Sequence, residues 1–247
     1  MIVLATDFGV KGPYTGQMES VILAGVPEIP VVNLFSDLPP GNPRLASYLL
    51  AAYTTHFPVG SIFICVVDPG VGTSRRALCV EIAGNWFVGP DNGLFEILIR
   101  RQEELPRTYE IIWRPEVLSA SFHGRDIFSP IAVRLARGEA PTDGPTFKLI
   151  GSESIRRQDW PDDLYEVIYI DHYGNAITGL RAESLSSGAE LKFSRYKAPR
   201  GETFSSVLPG DLFCYENSNG LMEIAINRGN ASKELGLRVG DHVALVS

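Results

Sequence analysis

The chain has 247 residues, of which 45% are hydrophobic and 21% are charged, a composition typical of a globular protein with room for one large or two smaller domains. The formal net charge of -7 gives no general attraction to nucleic acid or to an anionic lipid surface. No apolar run approaches the roughly 18 residues that a membrane span needs. The sequence therefore predicts neither nucleic acid nor a membrane as a partner.

The three cysteines, Cys65, Cys79 and Cys214, lie in apolar runs and lack the spacing of metal ligands. We interpret them as small core residues in a reducing compartment. The first residues lead directly into a strand, without the basic segment and cleavage site of a secretion signal. Both features predict a cytoplasmic location.

The first part of the chain alternates strands and helices. Apolar β-branched runs are followed by segments with apolar residues at helical spacing. This alternation favours a largely parallel sheet with right-handed crossovers. The predicted strands are 2–6, 29–34, 62–67 and 108–113, with a hairpin of 78–82 and 86–88, and the predicted helices are 15–24, 45–53, 94–99 and 127–136.

The pattern changes after about residue 140. Residues 141–154 are rich in Gly, Pro, Ser and Thr, which indicates a linker. Short strands then follow closely, separated by turn sequences such as Ser186-Ser187-Gly188, and this spacing predicts a small antiparallel barrel or sandwich. We therefore divide the chain into an α/β domain, 1–150, and a smaller all-β domain, 158–247. The predicted strands of the second domain are 165–170, 190–193, 211–215, 221–226 and 242–246.

One stretch, from Ile64 to Arg76, stands out for its chemistry. It begins as a buried strand and stops abruptly at Asp68-Pro69-Gly70, where Pro and Gly favour a turn. A strand that ends in a carboxylate, followed by a loop with cations, is typical of ligand sites in open α/β sheets. The alternative is that Asp68 is only a turn residue and that Arg75 is solvated.

Polar clusters also end other apolar runs or precede helices. The clusters at Asp7 and Asp68 both follow strands of the predicted parallel sheet, which places them at one edge. Each cluster alone has a plain structural alternative, because a carboxylate before a helix is often a cap. Neither a phosphate-binding loop nor a zinc-type group is present. The four clusters are Thr6-Asp7-Phe8-Gly9, Asp68-Pro69-Gly70, Pro90-Asp91-Asn92-Gly93 and His123-Gly124-Arg125-Asp126.

The predicted β-domain has two further polar segments. Asp171-His172-Tyr173-Gly174-Asn175 follows a strand, and Asn217-Ser218-Asn219-Gly220 lies between two strands. Plain β-turn chemistry explains either segment taken alone.

Taken together and in order, these segments resemble the S-adenosyl-L-methionine (SAM) hydroxide adenosyltransferase family, which is related to fluorinases and chlorinases. The resemblance spans nearly the whole chain. It implies an N-terminal α/β domain, a C-terminal β-barrel and a homotrimer that binds SAM between the N-domain of one subunit and the C-domain of the next. The segments are TDFG, VVDPGVGTSRR, PDNG, HGRDIFSPIA, IDHYGNAIT and NSNGLMEIA.

The resemblance also implies roles for individual residues. The residues that handle the attacking water fall on Asp68, Arg75 and His123, and the carboxylate that holds the ribose hydroxyls falls on Asp7. Residues around the adenine and the methionine amino and carboxyl groups form a larger set. They are Asp171, Asn175, Ser218, Asn230 and Ala231.

Two segments depart from the family pattern. Relatives have Asp-x-x-His after the second strand, whereas this chain has Asn33-Leu34-Phe35-Ser36. Relatives continue the C-domain motif into Thr-Asn, whereas Thr178 is followed here by Gly179. The first departure bears on one wall of the pocket and the second on ligand contacts.

The implied reaction is hydrolysis of SAM to adenosine and L-methionine, without a metal or a cofactor. The sulfonium leaves as neutral methionine, so the site has only to place a water about 3 Å from ribose C5′, in line with the C–S bond. Asp68 and His123 are both possible proton acceptors. Two alternatives stay open. The first is halide transfer to C5′, which is disfavoured because the halogenating relatives lack the pair of Asp68 and Arg75 that this chain has. The second is a sensor that binds SAM or adenosine without converting it.

Overall fold

The computed structural model describes residues 1–186 and 188–246. The chain forms two compact units, which divide between Gln158 and Asp159. Ser187, within the predicted turn Ser186-Ser187-Gly188, lies outside the described residues. No helix in the described ranges has the length and apolar character that a membrane crossing requires.

The first unit is built on a seven-stranded sheet in the order β2-β1-β3-β5-β4-β6-β7. Strands β2, β1, β3 and β5 are parallel, whereas β4 and β7 are antiparallel to their neighbours. Because β6 pairs antiparallel with β4, it runs in the direction of β5, so most strands share one direction. The strands are β1 (Ile2–Thr6), β2 (Val31–Phe35), β3 (Ile62–Val66), β4 (Ala77–Ile82), β5 (Asn85–Pro90), β6 (Thr108–Ile111) and β7 (Phe147–Ile150).

Helices follow β1, β2, β5 and β6 along the chain, so the predicted alternation is confirmed. Asn42 caps α2 by accepting from the Leu45 N–H at 3.1 Å, and Pro43 occupies the first turn, where the missing N–H of proline has no cost. A π-helical turn, Gly124–Phe128, directly precedes the fourth helix, and the sequence analysis does not predict it. The helices are α1 (Tyr14–Gly25), α2 (Pro43–Tyr53), α3 (Glu96–Arg100) and α4 (Ser129–Ala136).

The hairpin of β4 and β5 is confirmed and has a loop of two residues. Ala83 and Gly84 have φ angles of +49° and +76°. Two consecutive positive φ values define the turn whose twist matches antiparallel strands, and glycine adopts this conformation without steric cost.

The prediction of a linker at 141–154 is wrong. This segment contains β7, which pairs with β6 and extends the sheet, followed by a 3₁₀ turn, Ser152–Ile155. The Ser152 hydroxyl lies 2.9 Å from the Thr108 hydroxyl at the start of β6. Residues 151–158 therefore belong to the first unit, because hydrogen bonding secures a segment whose composition alone indicated a loop.

The second unit has two antiparallel sheets, ordered β12-β13-β9-β8 and β11-β10-β14. The sequence analysis does not predict β9, β11 or a short helix, α5. These segments are short, or they overlap the polar motifs described above. The elements are β8 (Leu164–Ile170), β9 (Ala176–Arg181), β10 (Glu190–Phe193), β11 (Tyr196–Ala198), β12 (Leu212–Glu216), β13 (Leu221–Ile226), α5 (Ala231–Leu235) and β14 (Ala244–Val246), with 3₁₀ turns at Ala182–Ser184 and Phe204–Ser206.

Isolated bridges connect the edges of these two sheets. Glu166 on β8 pairs with His242 just before β14, and Arg200 just after β11 pairs with Cys214 on β12. The predicted antiparallel architecture is confirmed, but across the described residues the pairing forms two sheets and not one closed sheet. The barrel therefore stays a prediction.

Candidate active site

Two carboxylates meet where the adjacent parallel strands β1 and β3 end. Asp7 and Asp68 follow these strands and line one cavity of about 140 Å³. The Asp7 N–H donates to the Val66 carbonyl at 3.2 Å, which ties the two strand ends together. The prediction that the first two clusters share an edge is confirmed. The remaining lining residues are Phe8, Gly41, Val66, Pro69, Val71, Ser121, Phe122, His123 and Gly124.

Asp68 and Arg75 form a buried ion pair across the turn that ends β3. The Arg75 Nε lies 2.9 Å from Oδ1 and 3.0 Å from Oδ2 of Asp68, and its Nη2 also donates to Oδ2. Their side chains are 4% and 9% exposed, so the alternative of a solvated Arg75 is wrong. The guanidinium also lies over the Phe128 ring, 5.5 Å from its centroid, which fixes the plane in which it meets the carboxylate.

His123 completes this group through the same guanidinium. Its Nδ1 lies 2.9 Å from Arg75 Nη2. Because a guanidinium nitrogen only donates, Nδ1 must accept, and the neutral ring then carries its proton on Nε2. Burial, followed by the charge of Arg75, lowers the pKa of His123. The three predicted residues are therefore brought together, with His123 held as a neutral ring that donates from Nε2.

The π-helical turn holds His123 at the cavity. The Ser129 hydroxyl donates to the Gly124 carbonyl at 2.9 Å inside this turn, and Asp126 accepts from the Ser119 N–H at 2.8 Å. Arg125 lies over the Phe122 ring, 5.1 Å from its centroid. The charged residues after His123 thus hold the loop and the helix start in place. A π-helical turn often occurs at a functional site, because it displaces one residue from the regular ladder.

Backbone hydrogen bonding holds the carboxylate of Asp7 in place. Its Oδ2 accepts from the Gly41 N–H at 2.8 Å. Burial is the largest influence on this carboxyl and raises its pKa, against the hydrogen bond from Gly41. A half-buried carboxylate at a cavity suits a pair of hydroxyl donors, which compensate the lost hydration.

The cluster Pro90-Asp91-Asn92-Gly93 has a structural role. Asp91 lies 2.7 Å from Arg76, and the Asn92 amide donates to the Val67 carbonyl at 2.8 Å. Neither side chain is among those that line the cavity. These residues secure the end of β3 and thereby the position of Asp68.

The second unit brings Asp171 and Asn175 together in the loop between β8 and β9. The Asn175 N–H donates to Asp171 Oδ1 at 2.8 Å, and its side-chain amide donates to Oδ2 at 3.2 Å. Asn230 joins the same loop, since its amide donates to the Tyr173 carbonyl at 2.9 Å. Asn230 also caps α5, whose first residue, Ala231, is buried.

Ser218 lies exposed in the turn between β12 and β13. Asn217 closes this turn by accepting from the N–H groups of Asn219 and Leu221 at 3.0 and 3.1 Å. The β-turn alternative is thus correct for Asn217, while the Ser218 hydroxyl accepts only a 3.2 Å bond from the Asn219 amide among the described contacts.

Glu223 is a buried residue of this region that the sequence analysis missed. It lies on β13, is 4% exposed, and accepts from the Tyr215 hydroxyl at 2.5 Å and from the Asn217 amide at 3.1 Å. Burial is the largest influence on this carboxyl and raises the pKa of Glu223, against the hydrogen bonds from Tyr215 and Asn217. A single acidic residue inside the apolar run Leu221–Ile226 was the available signal.

The two departures from the family pattern have local structural explanations. The Asn33 amide donates to the Ser36 hydroxyl at 2.6 Å, and the Ser36 carbonyl accepts from the Gly9 N–H at 2.5 Å, so this segment holds the loop after Asp7. A Cβ at Gly179 would lie 2.6 Å from the Leu164 side chain and 2.9 Å from its carbonyl. Glycine therefore permits the close approach of β8 and β9.

Within the ranges that the structure describes, no group of three or more His, Cys, Asp and Glu side chains is placed to hold a metal ion. The cavity residues that could bind a ligand are carboxylates, a neutral imidazole and aromatic rings. Such a set suits a small organic molecule that carries hydroxyl groups or a positive charge.

These features define a protein with an α/β unit that carries a buried Asp–Arg–His group and an antiparallel β-unit with its own polar cluster. The chain belongs to the SAM hydroxide adenosyltransferase family, because the profile of that family's N-terminal domain matches residues 2–144 and the profile of its C-terminal domain matches residues 165–244. The resemblance stated above is thereby confirmed.

Individual relatives agree with this assignment. A protein of Thermus thermophilus named (R)-S-adenosyl-L-methionine hydrolase is 36% identical and covers 99% of both chains, and one of Salinispora tropica with the same name is 33% identical over 100% of this chain and 97% of its own. A fluorinase of Nocardia brasiliensis is 22% identical over 97% of this chain and 94% of its own. The crystal structure of an uncharacterized conserved protein from Thermotoga maritima has a TM-score of 0.87 at 30% identity and covers 100% of both chains.

Proposed function

We propose that this chain is an enzyme that hydrolyses SAM to adenosine and L-methionine by attack of water on ribose C5′. The observation that carries this proposal is the buried group of Asp68, Arg75 and His123, which lies at one cavity with Asp7. The hydrolase names of the relatives from Thermus thermophilus and Salinispora tropica support the same reaction.

The reaction balances without a further reactant. The SAM cation and water give adenosine, methionine and one proton, and the C5′–O bond forms as the C5′–S bond breaks. The electron pair of the breaking bond goes to sulfur, which leaves as a neutral thioether and needs no general acid. We therefore propose that neither a metal nor a cofactor takes part.

The hydrogen-bond geometry supports a division of roles within the group. Because Nδ1 of His123 is occupied by Arg75, the ring offers an Nε2–H donor to one lone pair of the water, and the second lone pair attacks C5′. One water proton is donated to the Asp68 carboxylate, which also accepts from the Arg75 guanidinium. Proton transfer to Asp68 follows C–O bond formation, when the bound water becomes strongly acidic. Of the two candidate acceptors, we thus favour Asp68.

The ion pair also bears on halide transfer. A halide ion beside C5′ would lie near the Asp68 carboxylate, whose repulsion weakens anion binding in a buried site. Water carries no such penalty and can donate to the same carboxylate. We therefore assign water as the nucleophile.

The remaining predicted residues are assigned to substrate binding. Asp7 accepts the ribose hydroxyls, and residues of the second unit contact the adenine and the methionine amino and carboxyl groups. Following the resemblance, we propose a cytoplasmic homotrimer whose C-terminal unit forms a barrel, with each SAM bound by the N-terminal unit of one subunit and the C-terminal unit of another. The second-unit residues are Asp171, Asn175, Ser218, Asn230 and Ala231.

The test is to incubate the purified protein with SAM in ¹⁸O-labelled water and to separate the products by chromatography with mass detection. We expect adenosine with the label at the 5′ oxygen and an equal amount of methionine. Asp68→Asn protein, prepared in the same way, is the control for a contaminating activity. Intact SAM after prolonged incubation would favour a sensor, and a 5′-halo nucleoside at moderate salt would favour halide transfer.

A further inference from the structure

The loop of residues 68–75 carries two members of the buried group and is held at both ends by one short segment. The residues that flank this loop are Val67, after β3, and Arg76, before β4. The Asn92 amide donates to the Val67 carbonyl at 2.8 Å, and the Asp91 N–H donates to the Arg76 carbonyl at 3.0 Å. Because Asp91 and Asn92 are consecutive, they fix the separation of the two ends of the loop.

Further hydrogen bonds orient both anchors. The Asn92 amide oxygen accepts from the Leu94 N–H at 3.2 Å, which leaves the amide nitrogen to face the Val67 carbonyl. The Asp91 carboxylate accepts from Arg76 Nε at 2.7 Å, and its side chain is 10% exposed. Asp91 therefore holds Arg76 through its backbone and through its side chain.

The Arg76 carbonyl is also the backbone anchor of the Arg75 guanidinium. Arg75 Nη1 donates to this carbonyl at 3.1 Å. The Nε and Nη2 atoms of the same guanidinium donate to Asp68, and Nη2 also reaches His123. A displacement of the Arg76 carbonyl is therefore passed on to the contacts that Arg75 makes with Asp68 and His123.

We propose, on the basis of the function proposed above, that Asp91 and Asn92 are positioning residues for the hydrolysis, because they hold Asp68 and Arg75 in the geometry that orients the attacking water. Neither side chain lines the cavity, so both act through the loop and not on the substrate. Loss of either anchor loosens the contact of Arg75 with His123.

The test follows the ionisation of His123 by NMR, so it does not depend on turnover. The chain has four histidines, and the His123 signal is the one that is lost in His123→Gln. The charged groups around this ring are Arg75 and Arg114, which lower its pKa, and Asp68 and Asp126, which raise it. Of the two groups in the loop, Arg75 has the larger influence, so a loosened loop raises the pKa of His123.

Asn92→Ala is the principal variant, because it removes the anchor of Val67 without a change of charge. We expect the pKa of His123 to rise and kcat to fall about tenfold to a hundredfold. The dissociation constant of adenosine, measured by calorimetry, should change little. Asp91→Ala should act in the same direction, although the loss of its negative charge would by itself lower the pKa of His123.

Asn85→Ala is the matched control, because Asn85 holds the opposite end of β3. Its side chain accepts from the Ser61 N–H at 2.9 Å, just before the strand begins. This variant loses a comparable hydrogen bond to the backbone, far from the loop. It should keep the wild-type pKa of His123 and the wild-type kcat.

The proposal is overturned if either quantity keeps its wild-type value in both Asn92→Ala and Asp91→Ala, or if Asn85→Ala changes both quantities as much. Should the two anchor variants fail to fold, Asp91→Asn decides the matter. It weakens the ion pair with Arg76 at nearly unchanged volume, and a wild-type pKa of His123 in that variant would overturn the proposal. A wild-type protein that does not hydrolyse SAM would contradict the proposed function, whereas the pKa of His123 would still report whether Asp91 and Asn92 position Arg75.

Discussion

Arg75 Nη2 lies 2.9 Å from His123 Nδ1, and this contact fixes the proton of the neutral imidazole on the opposite nitrogen. The same guanidinium donates to the Asp68 carboxylate from two of its nitrogens, Nε and Nη2. One arginine therefore pairs with the carboxylate and sets the tautomer of the histidine. The arrangement gives the cavity one acceptor and one donor at neutral pH, which is what a single water needs for orientation.

The first prediction concerns pH. Burial and Arg75 lower the pKa of His123 below its ordinary value, which is about 6.5. The ring therefore stays neutral in the folded enzyme when free histidine is already protonated. We expect kcat/KM to be level through pH 6.5 and to fall only at lower pH, which a pH–rate profile will check. An acid limb centred at or above pH 6.5 would contradict this assignment.

The same shift has a consequence for stability. Below about pH 6.5 the unfolded chain takes up a proton at His123 that the folded chain does not. The free energy of unfolding must therefore fall as the pH falls, until the folded pKa is reached. Urea denaturation between pH 7 and pH 5 will show a smaller decrease for His123→Gln than for the wild type, and equal decreases would mean that the ring titrates alike in both states.

The second prediction concerns the proton acceptor. Asp68→Asn is nearly isosteric but neither accepts the water proton nor pairs with Arg75 as an ion. We expect kcat to fall about 10²–10⁴-fold, with a much smaller change in the dissociation constant of SAM. Asp163→Asn is the matched control, because Asp163 is also paired with an arginine but belongs to the second unit and does not line the cavity. Equal activity losses in the two variants would indicate a structural role for Asp68.

The third prediction concerns the ribose. Asp7→Ala removes a charged acceptor, which costs about 1.5–3 kcal/mol for a hydrogen bond to a hydroxyl. Adenosine should bind at least tenfold more weakly to the variant, whereas 2′,3′-dideoxyadenosine should bind both proteins alike. Calorimetry with the two nucleosides forms a cycle that isolates the hydroxyl contact. A variant that still distinguishes the two nucleosides as the wild type does would remove Asp7 from the ribose site.

The fourth prediction concerns the contact between Glu96 and residues 156–157, at the end of the first unit. Glu96 is fully buried as a side chain and is paired with Arg100 and Arg156, and it accepts from the Arg157 N–H at 2.7 Å. Glu96→Ala removes the buried carboxylate with which both guanidinium groups form ion pairs, and we expect a loss of about 3–5 kcal/mol of unfolding free energy in urea. Arg107→Ala breaks an ion pair whose arginine is 67% exposed and should cost no more than about 1 kcal/mol.

The sequence predicted the parallel part of the first unit and the edge at which Asp7 and Asp68 meet. This was possible because the strands β1 and β3 are continuous apolar runs, and the carboxyl ends of adjacent parallel strands must lie together. Strand β7 was missed because its four residues, Phe147–Ile150, are surrounded by loop-forming residues. Its pairing with β6 is a tertiary contact that composition does not encode.

The hydrogen bonds of His123 and Glu223 depend on partners that the sequence motifs do not indicate. The tautomer of His123 follows from Arg75, which is 48 positions earlier, and the carboxylate of Glu223 is matched by Tyr215 across a strand pair. A motif can indicate that such residues matter, but it does not fix which atom donates. The direction of these hydrogen bonds depends on which partner atoms the fold brings into contact.

The last prediction concerns assembly. The group of Asp68, Arg75 and His123 belongs to the first unit, whereas Asn175 and Asp171 belong to the second. If neighbouring subunits share each site in a closed ring of three, inactive Asp68→Ala and inactive Asn175→Ala chains will complement each other, because some sites in a mixed trimer receive both intact sets. We expect co-expressed or co-refolded mixtures to recover a measurable fraction of the wild-type rate, while each variant alone stays inactive. Light scattering on the same samples will report the oligomeric state. A monomer, or inactive mixtures in which mass spectrometry shows subunit exchange, would mean that each chain carries its own complete site.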